Sequence, residues 1–261
     1  GLFGSSTCET AEIARLAGWL KEHLSRIPDT EFPVEVAELI EAVLDDLRQE
    51  YNWDRAATIR ENYRAQIRQG ASGKTCVISG DFLERLLVLI GNRALTGIKN
   101  AVNPRTGLLN TYYIAEPTEM QLQENSGDSG AGEPGSNSMR LNVTSFQQEP
   151  LPLFLEGQVH WLRVLSDRDK TREIHQAVHN SALFDTELRM YKLNESLKSC
   201  SPKIGRAQMF TRGWFENESI WLHMSYKYLL ELLRCGLVEE FFEDAKTMLV
   251  PFMDPAVYGR S

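Results

Sequence analysis

The sequence predicts a mainly α-helical chain, part of an (α/α) toroid or bundle, with one short β element near residues 108–119. Three observations carry this. Apolar residues recur at three- and four-residue spacing in most segments. These runs, roughly 15 to 20 residues long, follow one another in antiparallel-looking pairs. "LLNTYYI" (108–114) is β-branched and aromatic enough for a short strand.

The first run, "SSTCETAEIARLAGWLKEHLSRI", places Ile13, Leu16, Leu20, Leu24 and Ile27 on one stripe, with Ser5, Ser6 or Thr7 as cap. The second, "PVEVAELIEAVLDDLRQE", starts with Pro33 at the first helical position and carries Val36, Leu39, Ile40, Val43, Leu44 and Leu47. A third helix, near 55–69, is more polar, and a fourth spans about 81–100 behind Ser79 or Asp81 as cap. Asn103-Pro104 and Gly107 mark the turn into the β element. Residues 121–139 are rich in glycine and serine and hold no aromatic, which reads as a flexible insert. Helical pattern resumes near Pro150 with "LPLFLEGQVHWLRVL" and "DKTREIHQAVHNSALF". The last two helices cover about 217–235 and 237–248, separated by Gly236 as stop. This gives a helical part at 1–119, the insert at 120–149 and a second helical part at 150–261.

Composition narrows the function classes. The 261 residues are 42% hydrophobic, enough to bury a sizeable core. A net charge of −8 argues against nucleic acid or an anionic membrane as partner, since both demand clustered cations. The N-terminal "GLFGSSTCET" lacks the basic and apolar regions of a signal peptide. Cys8, Cys76, Cys200 and Cys235 are scattered without metal spacing, so the expectation is reduced thiols, a cytoplasmic protein and no metal site. The sequons at Asn142, Asn194 and Asn217 then read as chance matches.

The segment "IGRAQMFTRGWFENESIWLHM" (204–224) carries more polar and aromatic equipment than a core helix needs. With Asn217 as cap of the next helix, Glu216 and His223 lie seven residues apart, a rotation of about 700°, hence on nearly one side. Trp214, Phe215 and Trp221 flank them, and aromatic rings with polar neighbours suit a sugar. His223, Arg206 and Arg212 suit an anion such as phosphate. The competing reading is structural: Asn217 caps, His223 is a satisfied boundary residue and the tryptophans are core.

The pattern Ile204, Gly205, Arg206, Phe210, Gly213, Glu216, Asn217, His223 resembles, without a gap, a signature of the cellobiose and chitobiose phosphorylases. "EGQVH", "MYKLN" and "YKYLLELLRCGL" extend a resemblance to relatives of those enzymes, strongest from Pro150 onward. The resemblance implies an (α/α) toroid and glycosyl transfer to inorganic phosphate as co-substrate, with no cofactor. It implies that Glu216 contacts sugar in the acceptor subsite and that His223 helps hold phosphate. Such enzymes are inverting: one acid protonates the leaving oxygen while phosphate replaces the water a hydrolase would activate. In the family that acid sits in an Asp-Trp-Asn-Asp motif, which the resemblance places before Gly1, with a phosphate loop after Ser261. The expectation is therefore an internal segment of a toroid, without turnover of its own, binding an oligosaccharide or disaccharide and self-associating through uncovered apolar flanks. The sequence departs from the family at Thr211-Arg212, where it has a proline pair, at Phe215, where lysine is frequent, and at Glu218 and Ser219, where glycines stand. A hydrolase, a non-catalytic sugar-binding toroid and a helical scaffold for protein contacts are the alternatives.

Three further features read as structural. Glu9 and Glu12 are first-turn acids favoured by the helix dipole. His175 and His179 have the spacing of paired metal ligands but read as a solvated face without a third ligand. "GASGKT" (70–75) lacks the spacing of a phosphate loop.

Overall fold

The computed structural model describes residues 6–23, 27–124, 139–165 and 167–258. It is mainly helical, with three two-stranded antiparallel sheets among the described residues. No helix among them is long and apolar enough to cross a membrane.

Helix α1 (Thr7–His23) departs from the sequence expectation in the face it buries. Cys8, Ala11, Ala14 and Ala17 point inward, while Ile13 and Leu16 are 49% and 55% exposed. Small residues at three-residue spacing let two neighbouring helices approach closely, and the larger side chains rotate outward. Leu24 of the expected stripe lies outside the described residues. Strand β1 (Thr30–Pro33) follows and pairs antiparallel with β2 (Thr75–Ile78). Between them run α2 (Val34–Leu47) and α3 (Trp53–Ile67), the latter capped by Asn52, whose side chain accepts from Arg55 N. Pro33 sits at the cap position of α2, one residue before the place expected. Helix α4 (Gly80–Ala101) is capped by Ser79. Its first residue is glycine because a Cβ there would lie 1.6 Å from the carbonyl oxygen of Ile27.

The β element is longer than expected. Strands β3 (Tyr113–Glu124) and β4 (Met139–Pro150) form an antiparallel hairpin, with β4 running through residues read as insert. Met120, Leu122, Leu141 and Phe146 on it are exposed, so burial leaves no alternating pattern to read. The remaining insert residues, 125–138, lie outside the described residues.

Helices α5 (Leu155–Val164) and α6 (Arg168–His179) precede a minimal hairpin of β5 (Phe184–Asp185) and β6 (Met190–Tyr191). After two short 3₁₀ turns at Pro202–Met209 come α7 (Leu222–Arg234) and α8 (Val238–Met248), separated by Gly236 at φ +79°. Helix α1 packs on α4 and α5, α5 on α7, and α7 on α8. One core runs through these contacts, from Ala11 and Ala14 through Ile98, Val159 and Leu162 to Tyr228, Leu232 and Met248. A satellite of Leu151, Phe154, Leu197, Ile204 and Ala207 lies under the segment that opens the candidate site.

Candidate functional site

The site is built from residues 190–224. The "MYKLN" run crosses beneath the "GWFENES" run and fixes it. Leu193 N donates to Ser219 O at 2.7 Å, and its carbonyl accepts from Leu155 N at 2.9 Å, tying both runs to α5. Asn194, fully buried, donates through Nδ2 to Glu216 O at 2.6 Å and accepts Glu218 N at 3.2 Å through Oδ1. Buried Lys192 donates to Glu218 Oε1 at 3.1 Å, and Arg212 Nε lies 3.3 Å from the same oxygen.

Asn217 is not a helix cap. Helix α7 starts at Leu222, and the Asn217 side chain donates to Phe210 O at 2.6 Å and accepts Leu197 N at 3.4 Å. It therefore closes the loop on itself, while Trp221 takes the cap position. The one-sided helical placement of Glu216 and His223 is corrected with it. Glu216 lies in an irregular turn; His223 is exposed, in the first turn of α7, with its ring 5.3 Å from that of Trp221. No hydrogen bond joins Glu216 to His223 among the described residues.

The turn is conformationally costly. Gly213 takes φ +81°, which glycine tolerates, but Phe215 (+46°) and Glu218 (+55°) also stand in the left-handed region. Each such non-glycine residue costs on the order of 1 to 3 kcal/mol and persists only where its surroundings hold it. Glu218 is held by Lys192 and Arg212; Phe215 is held by the Ser219 hydroxyl, which donates to its carbonyl, and by contact with the Phe210 ring.

The result is a display of side chains. Trp214 is 62% exposed and meets the Phe215 ring edge-on at 5.4 Å. Arg206 is exposed, 6.0 Å above the Phe210 ring, and Arg212 is exposed beyond its contact with Glu218. Glu216 is different: Oε2 is buried without a partner, and no ion pair holds its carboxylate among the described residues. Glu35 and Glu240 also carry one unpartnered buried oxygen, but their other oxygens accept from Ser72 N and from Arg172. That bond also gives "GASGKT" a structural role, since its Ser72 amide is spent on Glu35.

Two other polar groupings escaped the sequence reading. Glu12 accepts from Arg15, Arg163 (3.0 Å) and His160 (2.8 Å), and Arg163 also donates to buried Glu231 at 2.9 Å. Burial works to raise the Glu12 carboxyl, but these three partners outweigh it and hold it down at about 2. Arg15, Arg163, Glu231 and Arg234 line a cavity of about 440 Å³ beside them. Glu12, the sixth residue of α1, is therefore not a first-turn acid; Glu9 is one and is exposed. His175 is not on a solvated face: it is buried, with Nδ1 3.1 Å from Tyr228 Oη, while His179 is exposed and stacks on Phe184 at 3.9 Å. Burial, with His179 nearby, lowers His175 to about 4. In the same core Tyr191 donates to Asp244 Oδ2 at 2.9 Å, and burial raises the Asp244 carboxyl to about 6.

Of the residues expected at the site, the fold gathers Trp214, Glu216, Arg212 and Arg206 around one turn and sets Trp221 and His223 together at the head of α7. Lys192 and Asn194 were missed as its supports, and their burial was not legible in the local pattern. No family model matches the chain, and no curated protein does.

Proposed function

We propose that the Arg206–His223 segment is the saccharide- and phosphate-facing rim of a carbohydrate-active protein related to the glycoside phosphorylases. In this reading α1, α4, α5, α7 and α8 belong to an (α/α) toroid. One observation carries it: Glu216 stands in a strained, braced turn with its Oε2 buried and without a hydrogen-bond partner. A carboxylate oxygen without a protein partner suits a ligand that brings donors, and sugar hydroxyls are such donors. Trp214 offers an exposed ring in the same turn, and exposed Arg206 and His223 are each a donor suited to phosphate. The parent reaction in this reading is inverting phosphorolysis of a glycosidic bond. Binding is the property of these residues to test.

The test is a titration of the chain with β-linked disaccharides, with and without inorganic phosphate, followed through tryptophan fluorescence. The expected result is saturable binding that weakens at least about tenfold in Glu216→Gln, the loss of a charge-assisted hydrogen bond. Absence of saturable change with every sugar sinks the reading. A second reading, a helical scaffold, is favoured by the exposed Ile13, Leu16 and Trp19 of α1.

A further inference from the structure

We propose that Cys8, Glu156 and His160 form a binding site for a divalent transition metal of the zinc class, clamping α1 to α5. Their ligand atoms all lie within 4.8 Å of one another. Cys8 is the second residue of α1. Glu156 and His160 are one turn apart on α5, where i and i+4 side chains share a face, and α1 packs against α5. The sequence hid the site because Cys8 is remote from the other two.

Three features go beyond proximity. First, His160 Nδ1 lies 2.8 Å from Glu12 Oε1. With Nδ1–H donating to that carboxylate, the ring lone pair resides at Nε2. A carboxylate behind an imidazole is the usual outer shell of a bound metal, since it fixes the tautomer and raises ligand basicity. Second, Glu156 Oε2 accepts from Tyr112 Oη at 2.8 Å, which orients that carboxylate too. Third, Cys8 is only 6% exposed, so a cation there would be largely shielded from water.

The donor set selects the metal. A thiolate is soft, an imidazole borderline and a carboxylate hard, a mixture that suits Zn²⁺ or Co²⁺ and not Ca²⁺ or Mg²⁺. Zinc bonds of about 2.0 to 2.3 Å put tetrahedral ligands roughly 3.5 Å apart, so side-chain rotation by about 1 Å closes the site. Three protein ligands leave a fourth position for water.

The same residues suggest a rival, a Cys–His–Glu nucleophile. Burial, with Glu156, Glu9 and Glu12 nearby, pushes the Cys8 thiol up to about 12 against the Ser6 hydrogen bond, which keeps it protonated and unreactive. A nucleophile also needs access to substrate, which a buried sulfur lacks. A metal needs neither condition, because coordination displaces the thiol proton.

The test uses the whole 261-residue chain, freed of metal with a chelator and kept reduced without added thiol. Co²⁺ is added, then Zn²⁺. The expected result is one equivalent of Co²⁺ with thiolate-to-cobalt charge-transfer absorption, displaced by one equivalent of Zn²⁺, and an unfolding midpoint raised by Zn²⁺. Cys8→Ser abolishes the absorption, and Glu12→Gln weakens Zn²⁺ binding about 10- to 100-fold. A variant with Cys76, Cys200 and Cys235 all changed to serine retains the absorption, which keeps the test decisive if Cys8→Ser does not fold. Absence of the absorption in the unaltered chain, its loss when only Cys8 remains, or its persistence in Cys8→Ser overturns the proposal.

Discussion

Glu231 and Glu216 both carry buried carboxylate oxygen, and the fold treats them in opposite ways. Glu231 stands on α7 in the seam with α5, 2% exposed, with one oxygen accepting from Arg163 at 2.9 Å and Arg234 at 3.0 Å. Glu216 stands in the turn before α7, its Oε2 buried and unpartnered, between two residues forced to positive φ. In that seam the buried charge is paired, since leaving it without a partner costs several kcal/mol. The turn leaves that oxygen of its acid unpaired, while Asn194 and Asn217 bond its backbone and Lys192 holds the Glu218 side chain; in the proposed function this is room for a ligand.

The largest effect comes from making Glu231 resemble Glu216. Arg163→Ala removes its buried partner and is expected to cost about 3 kcal/mol, since Arg234, mostly exposed, replaces little of it. Chemical denaturation checks this. Replacing both partners, Arg163→Met with Glu231→Met, recovers most of the loss; equal destabilisation of single and double variants breaks the comparison.

A smaller effect follows from the two titratable groups near Tyr191 and Tyr228. Asp244 has a folded pKa of about 6, above an unfolded value near 3.9. The folded state therefore holds the proton more tightly between those values, and stability falls as pH rises from about 4 to 6. His175, at about 4, lies below an unfolded value near 6.5, so its contribution is lost as pH falls from about 6.5 to 4. The slopes oppose each other in wild type. Asp244→Asn keeps an acceptor for Tyr191, gains about 2 kcal/mol at pH 7 and uncovers the His175 slope, seen as a melting temperature that drops steeply on acidification. An unchanged pH profile in the variant contradicts the burial assigned to Asp244.

Smaller still is the effect of the exposed face of α1. Ile13, Leu16 and Trp19 are expected to drive self-association, visible as a concentration-dependent mass in light scattering. Leu16→Glu shifts the mass to monomer while leaving stability within about 0.5 kcal/mol, as for most surface changes. A monomer in both chains removes the idea.

What the sequence made legible were the helices, because their spacing is written in single residues: Ser79 before α4, Gly236 between α7 and α8. What stayed hidden were choices made by remote partners. Helix α1 offers two stripes, and only contact with α4 and α5 selects the one with Ala11 and Ala14. Strand β4 has exposed apolar residues and no alternation of burial to betray it. Asn217 carries every local mark of a helix cap, yet Phe210 and Leu197 claim its side chain. Glu216 was singled out from its neighbours in the chain, but its unpartnered carboxylate becomes visible only once Asn194 and Lys192 have fixed the turn around it.

The central claim, that Glu216 is kept open for a ligand, is tested most directly by Glu216→Gln, with stability and saccharide affinity measured on the same samples. The account predicts stability equal to or above that of wild type, because no hydrogen bond of the protein is lost and an unpaired charge is removed, together with disaccharide binding weakened at least about tenfold. Loss of stability with unchanged saccharide affinity would contradict it and return Glu216 to the structural residues.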